Sequence, residues 1–363
     1  MNQKNPTSHQ LQKRSRYSNI KQKLDEDLFN NNWTEVNTKI IPKKKIDLNF
    51  IDLFSGAGGL SLGFQDAGFN KVASFEIDKD ASATIEKNFK NSIHIKDDIT
   101  QVTNNKLSKI FGKKKIDIIC GGPPCQGFSV AGYRNPNDKR NLLFREYLRF
   151  LKFFKPKIFM LENVPGILTM SDGNVKNIMM NEFEKLGYNN TSVRILESAN
   201  FEVPQMRTRA IFIGNRLGKK NPYPKIINTK ENYLNIEDYI DDLKNHPRDP
   251  SINHEWTKHS EKFEKRISKV KPGQSLYEGF RDAYKRQYLG FPSMAVKENH
   301  GGTHIHPRLN RVISAREMAR LQTFPDNFIF SGTMKRAMWQ VGNAVPVKLG
   351  YHIGLAIKSL FIK

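Results

Sequence analysis

The feature that most constrains this chain is a regular alternation of short apolar runs and amphipathic segments between Asn49 and Asn215. Each apolar run is short enough for one buried strand, and each following segment carries apolar residues at helical spacing. The successive pairs are NFIDLF with LSLGFQDAG, KVASFEID with ASATIEKNF, KIDIICGG with NLLFREYLRFLKFF, and KIFMLENV with VKNIMMNEFEKLG, followed by SVRILE and RAIFIGN. This order predicts a doubly wound, mostly parallel α/β sheet, in which ligands bind at the carboxyl ends of the strands.

The rest of the chain divides into three further regions. Residues 1–48 are polar and basic with few regularly spaced apolar positions, so we interpret them as a flexible tail. Residues 216–307 mix aromatic, basic, Pro and Gly residues without a clear period, which indicates a second, smaller and irregular domain. In residues 308–363, Ser314 and Glu317 have the spacing of a capping box at a helix start, and we expect this region to pack back on the sheet.

The charge balance favours a polyanionic partner. Lys and Arg outnumber Asp and Glu by 59 to 36, which gives a formal net charge of +23. A surplus of this size is typical of proteins that bind nucleic acid. The alternative is that Lys is simply abundant and solvated, so the motifs must decide between the two interpretations.

Cysteine usage and hydropathy indicate the compartment. The only cysteines, Cys120 and Cys125, are too few for a disulfide framework or a cysteine-rich zinc module, which favours a reducing environment. No apolar run approaches the ~18 residues that span a bilayer, and the N-terminus lacks the apolar core of a signal peptide. We therefore expect a cytoplasmic protein without a membrane segment.

A glycine-rich turn follows the first predicted strand, in Asp52–Leu60. Glycines there allow the backbone to approach a nucleotide-like ligand, although Ser61 stands where a dinucleotide fingerprint has its third glycine. Glu76 ends the next strand at the separation expected of a ribose-binding acid, and Asp98 follows a third strand, where it could accept a bond from an adenine amino group. Each feature alone could be structural, but together they fit an adenosine carrier without a pyrophosphate.

The segment GGPPCQGFS, directly after the strand KIDIIC, presents the candidate nucleophile Cys125. Two prolines stiffen this loop and glycines clear space around the sulfur, which suits a reactive thiolate. Cys120, inside the strand, is interpreted as a small buried hydrophobe. Glu162 ends the strand KIFMLENV and is expected at the same edge of the sheet, where it could serve the same substrate.

A Q-x-R-x-R pattern of Gln205, Arg207 and Arg209 enters the strand RAIFIG. Alternation would place the three side chains on one face, where they could bind a base or a phosphate. Arginines in such a pattern also occur on ordinary surface faces, so both interpretations stay open at this point.

These motifs, DLFSGAGGL, GGPPCQGFS, ENV, QMRTR and QVGNAVP in this order, resemble those of the cytosine-5 DNA methyltransferases, in the bacterial restriction–modification type. The resemblance covers about residues 49–215, which would be the catalytic and cofactor-binding domain, and residues 308–363. It implies the S-adenosylmethionine-dependent methyltransferase fold, with residues 216–307 as the target recognition domain. S-adenosylmethionine would be the methyl donor, and no metal is expected.

The resemblance also implies roles for individual residues. Cys125 would be the nucleophile, Glu162 would hydrogen-bond and protonate the base, and Arg209 would contact the carbonyl of a flipped cytosine. Arg207 belongs to the same catalytic set and, like Gln205, is expected to support it. Gln126, Ser129 and Gln205 are the implied substrate contacts. The implied cofactor contacts are Phe54, Gly56, Gly58, Glu76, Ile77, Asp98, Ile99, Pro124, Asn343 and Val345.

The expected partner is double-stranded DNA, bound by a monomer. A cognate restriction endonuclease would be a functional partner without required contact. Within residues 216–307 the predicted DNA contacts are Lys271, Arg281, Lys285, Arg286, Gln287 and Tyr288. His304 and His306 are interpreted as structural, since two His without further ligands do not make a metal site.

Two alternatives remain at the level of sequence. One branch of the same family methylates cytosine in transfer RNA, but that branch usually lacks a large recognition domain. The other alternative is a DNA-binding protein with an inactive site, against which the intact Cys125, Glu162 and Arg209 argue.

Overall fold

The computed structural model describes residues 32–124, 141–278, 283–297 and 304–362. Its strands are β1 (Trp33–Val36), β2 (Asn49–Leu53), β3 (Asn70–Phe75), β4 (Ile93–Ile95), β5 (Ile118–Gly121), β6 (Ile158–Asn163), β7 (Ser192–Glu197), β8 (Gln205–Met206), β9 (Thr208–Asn215), β10 (Asn221–Pro224), β11 (Lys285–Arg286), β12 (Ser293–Met294) and β13 (His304–Ile305). The central sheet has seven of these strands in the order β4-β3-β2-β5-β6-β9-β7, and β9 runs antiparallel to β6 and β7 while the other neighbours are parallel. The predicted doubly wound, mostly parallel sheet is thus confirmed.

Helices cover both faces of this sheet. In chain order they are α1 (Gly59–Asp66), α2 (Lys79–Asn88), α3 (Asn104–Phe111), α4 (Leu142–Phe154), α5 (Asn174–Lys185), α6 (Glu237–Ile240), α7 (Glu261–Ile267), α8 (Ala315–Leu321), α9 (Met334–Asn343) and α10 (Val347–Lys358). Helices α3, α4 and α5 bury Phe111, Phe150 and Phe183 against one face, and α1 and α10 bury Phe64 and Ile353 against the other. Among the described residues, no helix is both long and apolar enough to cross a bilayer.

The C-terminal region returns to the sheet as the sequence predicts. Ser314 and Glu317 form the expected capping box, in which the Glu317 amide donates to Ser314 Oγ (3.0 Å) and the Ser314 amide donates to Glu317 Oε2 (2.7 Å). Pro346 caps α10, whose apolar positions, including Ile357, pack on the α1 side of the sheet. Reciprocal capping satisfies backbone donors that a buried helix start would otherwise leave unpaired.

The structure differs from the prediction at the N-terminus. Within residues 1–48, which we interpreted as a tail, β1 pairs in parallel with β10. The Arg194 guanidinium lies 3.5 Å from the centroid of the Trp33 ring, and Trp33 also packs edge-on against Tyr223. Four residues give no readable period, and their partner strand is distant in sequence, so the sequence could not show this pairing. Residues 1–31 lie outside the described residues.

The irregular composition of residues 216–307 corresponds to short elements. The two-residue strands β11, β12 and β13 and the short helices α6 and α7 are its regular structure in the described residues. Both ends of the region join the main body, because β10 places Tyr223 in the core and β12 pairs with β8. The border at residue 216 stays a prediction, but packing is continuous across it.

Candidate active site

A cavity of about 1100 Å³ lies at the carboxyl edge of the parallel strands. Its walls come from the residues that follow β2, β3 and β5, from the end of β6, and from the α9–α10 junction. Every predicted cofactor residue except Gly58 lines this cavity, and so do Glu162, Arg207 and Arg209. The topology therefore brings both predicted groups into one site.

The turn after β2 needs glycine at two positions, Gly58 and Gly59. Gly58 has φ +89°, and a Cβ there would meet Phe89 at 2.6 Å and Ile85 at 2.7 Å. Gly58 therefore shapes the turn from behind the cavity wall. A Cβ on Gly59 would meet the Val345 carbonyl oxygen at 2.2 Å, so the first turn and the QVGNAVP segment touch. These close approaches explain why glycine is needed at both positions.

Ser61, at the position where a dinucleotide fingerprint has its third glycine, makes a buried hydrogen bond that explains the serine. Its hydroxyl donates a hydrogen bond to Asp52 Oδ2 at 2.6 Å, and both side chains are buried. Burial raises the pKa of Asp52 to about 6, while the bond from Ser61 acts in the opposite direction. The serine thus stabilises a buried carboxyl group beneath the turn.

Glu76 connects the turn after β2 to the start of α2. Its carboxylate accepts from the Gly56 amide at 2.7 Å and from the Asp78 amide at 2.8 Å. Burial raises the pKa of Glu76, and the backbone donors partly offset that effect. Asp98 accepts from the Thr100 amide at 2.9 Å. Both carboxylates line the cavity, where they can accept bonds from ribose and adenine.

Glu162 and Arg209 form an ion pair in the cavity wall. Arg209 Nε lies 2.6 Å from Glu162 Oε1, and the two side chains are only 15% and 14% exposed. Antiparallel pairing of β9 with β6 produces this contact, because Glu162 is in register with Ile211, two residues beyond Arg209. A fixed guanidinium can hold one oxygen of the carboxylate and leave the other to a ligand.

The start of the GGPPCQGFS segment packs closely against the Glu162 carboxylate. A Cβ on Gly122 would lie 2.8 Å from Glu162 Oε2. The Asn163 amide donates to the Pro123 carbonyl oxygen at 3.0 Å, which ties the ENV segment to this loop. Gly122, Pro123 and Pro124 line the cavity. Cys125, Gln126 and Ser129 lie outside the described residues, so their roles stay predictions.

The side chains of Arg207 and Gln205 form hydrogen bonds with surrounding backbone groups. The Arg207 guanidinium is buried and donates to the Val296 carbonyl (2.8 Å) and to the Gly342 carbonyl (3.0 Å), which belong to two walls of the cavity. Gln205 lies outside the cavity lining. Its amide bonds to Leu321, Gln322 and Val296. Arg207 and Arg209 thus share the predicted face in the cavity and Gln205 does not, so its contact with the substrate stays a prediction.

Two of the predicted DNA contacts are corrected by burial. Arg286 donates to the carbonyls of Val270, Ile267, His306 and Leu309 and to the Asn310 side chain. Gln287 bonds to the His304 ring at 2.7 Å and accepts from the Met294 amide at 2.9 Å. Both side chains are buried and bonded within the protein, so neither is placed as the surface contact that the sequence predicted. Arg281 lies outside the described residues, and Lys271, Lys285 and Tyr288 stay predictions.

The two histidines of this region serve the scaffold. The His304 ring bonds to Gln287 and to the Ala295 carbonyl at 3.1 Å. His306 Nδ1 accepts from the Arg308 and Leu309 amides at 3.1 and 3.2 Å. Among the described residues, no group of three or more His, Cys, Asp or Glu side chains is placed to hold a metal ion.

Sequence reasoning missed Trp339 and Val296, which also line the cavity. Trp339 lies four residues before Asn343 on α9, so it shares a helix face with a predicted cofactor contact. That spacing was readable in the sequence. Val296 could not be found in this way, because it reaches the site only through the pairing of β12 with β8.

Comparisons with known proteins show the family of the chain. The family model for C-5 cytosine-specific DNA methylases matches residues 48–359. The chain is 36% identical over 328 residues to the type II methyltransferase M1.HphI of Haemophilus parahaemolyticus, covering 87% of this chain and 88% of that protein. It is 34% identical over 375 residues to the type II methyltransferase M.DdeI of Desulfomicrobium norvegicum, covering 86% of this chain and 89% of that protein.

Solved structures show the same fold. A candidate DNA modification methyltransferase encoded within an E. coli prophage superposes with a TM-score of 0.70 at 28% identity, over 87% of this chain and 99% of its own. The S. pombe Dnmt2 methyltransferase gives a TM-score of 0.63 at 19% identity, over 87% of this chain and 100% of its own, and shares the fold.

Proposed function

Since the chain belongs to the C-5 cytosine-specific DNA methylase family, we propose that it methylates cytosine through a transient covalent bond to Cys125. It is a DNA cytosine-5 methyltransferase of the type II restriction–modification kind. The observation that carries the proposal is the Glu162–Arg209 ion pair, which shares one cavity with the predicted cofactor residues.

The cavity fits S-adenosylmethionine by its donor set. Glu76 and Asp98 offer carboxylate acceptors for ribose and adenine, and Gly56 of the turn after β2 leaves its backbone open to the ligand. Phe54 and Val345 add apolar wall, while Asn343 adds an amide. When bound there, the cofactor supplies a methyl group on a sulfonium, which is electrophilic enough for a carbon nucleophile.

The protein must make carbon 5 of cytosine nucleophilic. We propose that the Cys125 thiolate adds to carbon 6 while Glu162 holds a proton at ring nitrogen 3, so that the electron pair of the 5,6 double bond becomes available at carbon 5. After methylation, loss of the carbon 5 proton to a base and expulsion of the thiolate restore the aromatic ring. Arg209 keeps the Glu162 carboxyl group in place during these steps.

The target base must leave the duplex to reach this cavity. A stacked cytosine hides its carbon 6 face, so we propose that the enzyme flips the base out at a cost of about a few kcal/mol. Basic residues of the recognition region would hold the phosphates during that step. Membership in a DNA methylase family favours duplex DNA over transfer RNA as the substrate.

The proposal extends to the biological setting. The relatives are named type II methyltransferases. We propose that this enzyme acts as a monomer in the cytoplasm and protects one DNA sequence from a partner endonuclease that it need not contact.

Bisulfite sequencing tests the activity, the base and the sequence together. A plasmid from a methylation-free host that expresses the protein should retain unconverted cytosines at one recurring sequence. The same plasmid from cells expressing Glu162→Gln should convert almost completely. Complete conversion with the parent protein, or unconverted cytosines without a recurring site, would refute the proposed function.

A further inference from the structure

Trp339 contributes an indole to the cofactor cavity that the proposed mechanism does not use. It lies on α9 and lines the cavity together with Gln340 and Asn343 of the same helix. It is partly exposed, whereas Ala337 and Met338 beside it on α9 are buried. A large aromatic ring that stays open to a ligand cavity has a face available for stacking.

The Arg336 guanidinium packs against the Trp339 indole. The guanidinium carbon of Arg336 lies 4.3 Å from the centroid of the Trp339 ring, within the range of a cation–π contact. Arg336 Nε donates to Asp80 Oδ2 at 2.6 Å, and its Nη2 donates to Asp78 Oδ2. The carboxylates of the α2 N-cap residue and of the first turn of α2 thus fix the guanidinium, and the guanidinium in turn restricts the indole.

The carboxylates are themselves fixed at the start of α2. Asp78 is the N-cap residue, and its Oδ1 accepts from the amides of Asp80 and Ala81 at 3.1 and 2.9 Å. Because Asp78 also lines the cavity and follows Glu76 by two residues, this contact places Trp339 on the Glu76 side. That side is where the sequence predicts the nucleoside to bind. The neighbouring Ile77 is 65% exposed and offers only an aliphatic surface.

We propose that Trp339 is a cofactor-binding residue that stacks on the adenine of S-adenosylmethionine, and that Arg336, held by Asp78 and Asp80, is its positioning residue. This inference rests on the proposed function, because it requires the adenosine cofactor in this cavity. Aromatic pairs contribute enough beyond buried area to change a dissociation constant by about three- to tenfold.

Intrinsic fluorescence tests the stacking directly with S-adenosylhomocysteine, the demethylated product, as the probe. The chain has three tryptophans, and Trp33 and Trp256 are absent from the cavity lining. Saturating probe should therefore quench the parent emission, and Trp339→Phe should abolish the quench. The matched controls Trp33→Phe and Trp256→Phe should keep it. A quench that persists unchanged in Trp339→Phe would overturn the inference.

Calorimetry separates this inference from the proposed function. Trp339→Ala should bind the probe about three- to tenfold more weakly, and Trp339→Phe, which keeps an aromatic face, should bind within about twofold of the parent. Arg336→Gln should weaken binding less than Trp339→Ala. If the parent binds the probe and Trp339→Ala binds it equally well, the stacking inference is wrong while the proposed function stands. If the parent does not bind the probe, the stacking inference and the proposed function are both wrong.

Discussion

Arg209 Nε lies 2.6 Å from Glu162 Oε1 because antiparallel β9 runs beside β6 at the edge of the cavity. Both side chains are mostly buried, so each satisfies a charge that would otherwise be costly to desolvate. The pair acts as one unit, in which the guanidinium fixes the carboxyl group that the proposed mechanism uses at the base.

We predict that this unit is non-additive in catalysis. Glu162→Gln should lower the single-turnover methylation rate by about 10²- to 10⁴-fold, because an amide cannot transfer the proton. Arg209→Ala should lower the rate as well, and the double variant should be no slower than Glu162→Gln alone. The variant Glu182→Gln, which removes an ion pair with Lys185 outside the cavity lining, is the matched control. Multiplying losses in the double variant would show that the two residues act separately.

Gly122→Ala should disturb catalysis without harming the fold. The added Cβ would come within 2.8 Å of Glu162 Oε2, and Arg209 prevents the carboxylate from moving freely away. We expect the methylation rate to fall by about 10- to 100-fold, since small misplacements of a catalytic group have effects of this size. Affinity for S-adenosylhomocysteine and the melting temperature should stay near the parent values. Gly166→Ala, where nothing lies within 4 Å of the new Cβ, should be silent.

Arg207→Ala should mainly reduce stability. The buried guanidinium bonds to the carbonyls of Val296 and Gly342, and losing these charged donors should lower the free energy of unfolding by about 3 kcal/mol. Because Gly342 precedes Asn343, cofactor affinity should fall as well. Urea denaturation of Arg207→Ala and Arg209→Ala in parallel measures the contrast. A stable but inactive Arg207→Ala would instead assign that arginine to the chemistry.

The free energy of unfolding should decrease below neutral pH through His306. Burial lowers the pKa of His306 from 6.5 to about 4, and its Nδ1 accepts two backbone amides only when it is unprotonated. The unfolded state binds the proton more readily between these values, so stability is present above pH 6.5 and is lost as the pH falls toward 4. The loss should be on the order of 3 kcal/mol, from a shift of this size in a fully buried group.

Denaturation of the parent and of His306→Asn at a series of pH values measures this contribution. Asparagine can still accept from the backbone amides but carries no proton in this range, so its stability curve should be flatter between pH 6.5 and 4. Parallel curves for the two proteins would rule out His306 as the source.

The sequence predicted those parts of the fold and of the site that depend on residues close together in the chain. The strand–helix alternation predicted the sheet, and residues at or just after the strand ends, such as Glu162 and Glu76, lie together in one cavity. Prediction failed where the physical reason is non-local. Nothing near Trp33 reveals that a short strand pairs with β10, and Arg286 looks like a DNA contact until its buried carbonyl partners are seen. Gln205 shows the same limit, since its partners come from the C-terminal region.

The most direct test of the account is covalent trapping on DNA. A duplex with 5-fluorocytosine at the methylated position lacks the proton that must leave carbon 5, so the enzyme incubated with S-adenosylmethionine should remain bonded to the base. Mass spectrometry should place the adduct on Cys125; Cys125→Ser should form none. The variant Cys120→Ala should form it normally, because Cys120 is buried in β5 and burial raises the pKa of its thiol. No adduct from a protein that methylates the unmodified duplex would contradict the account.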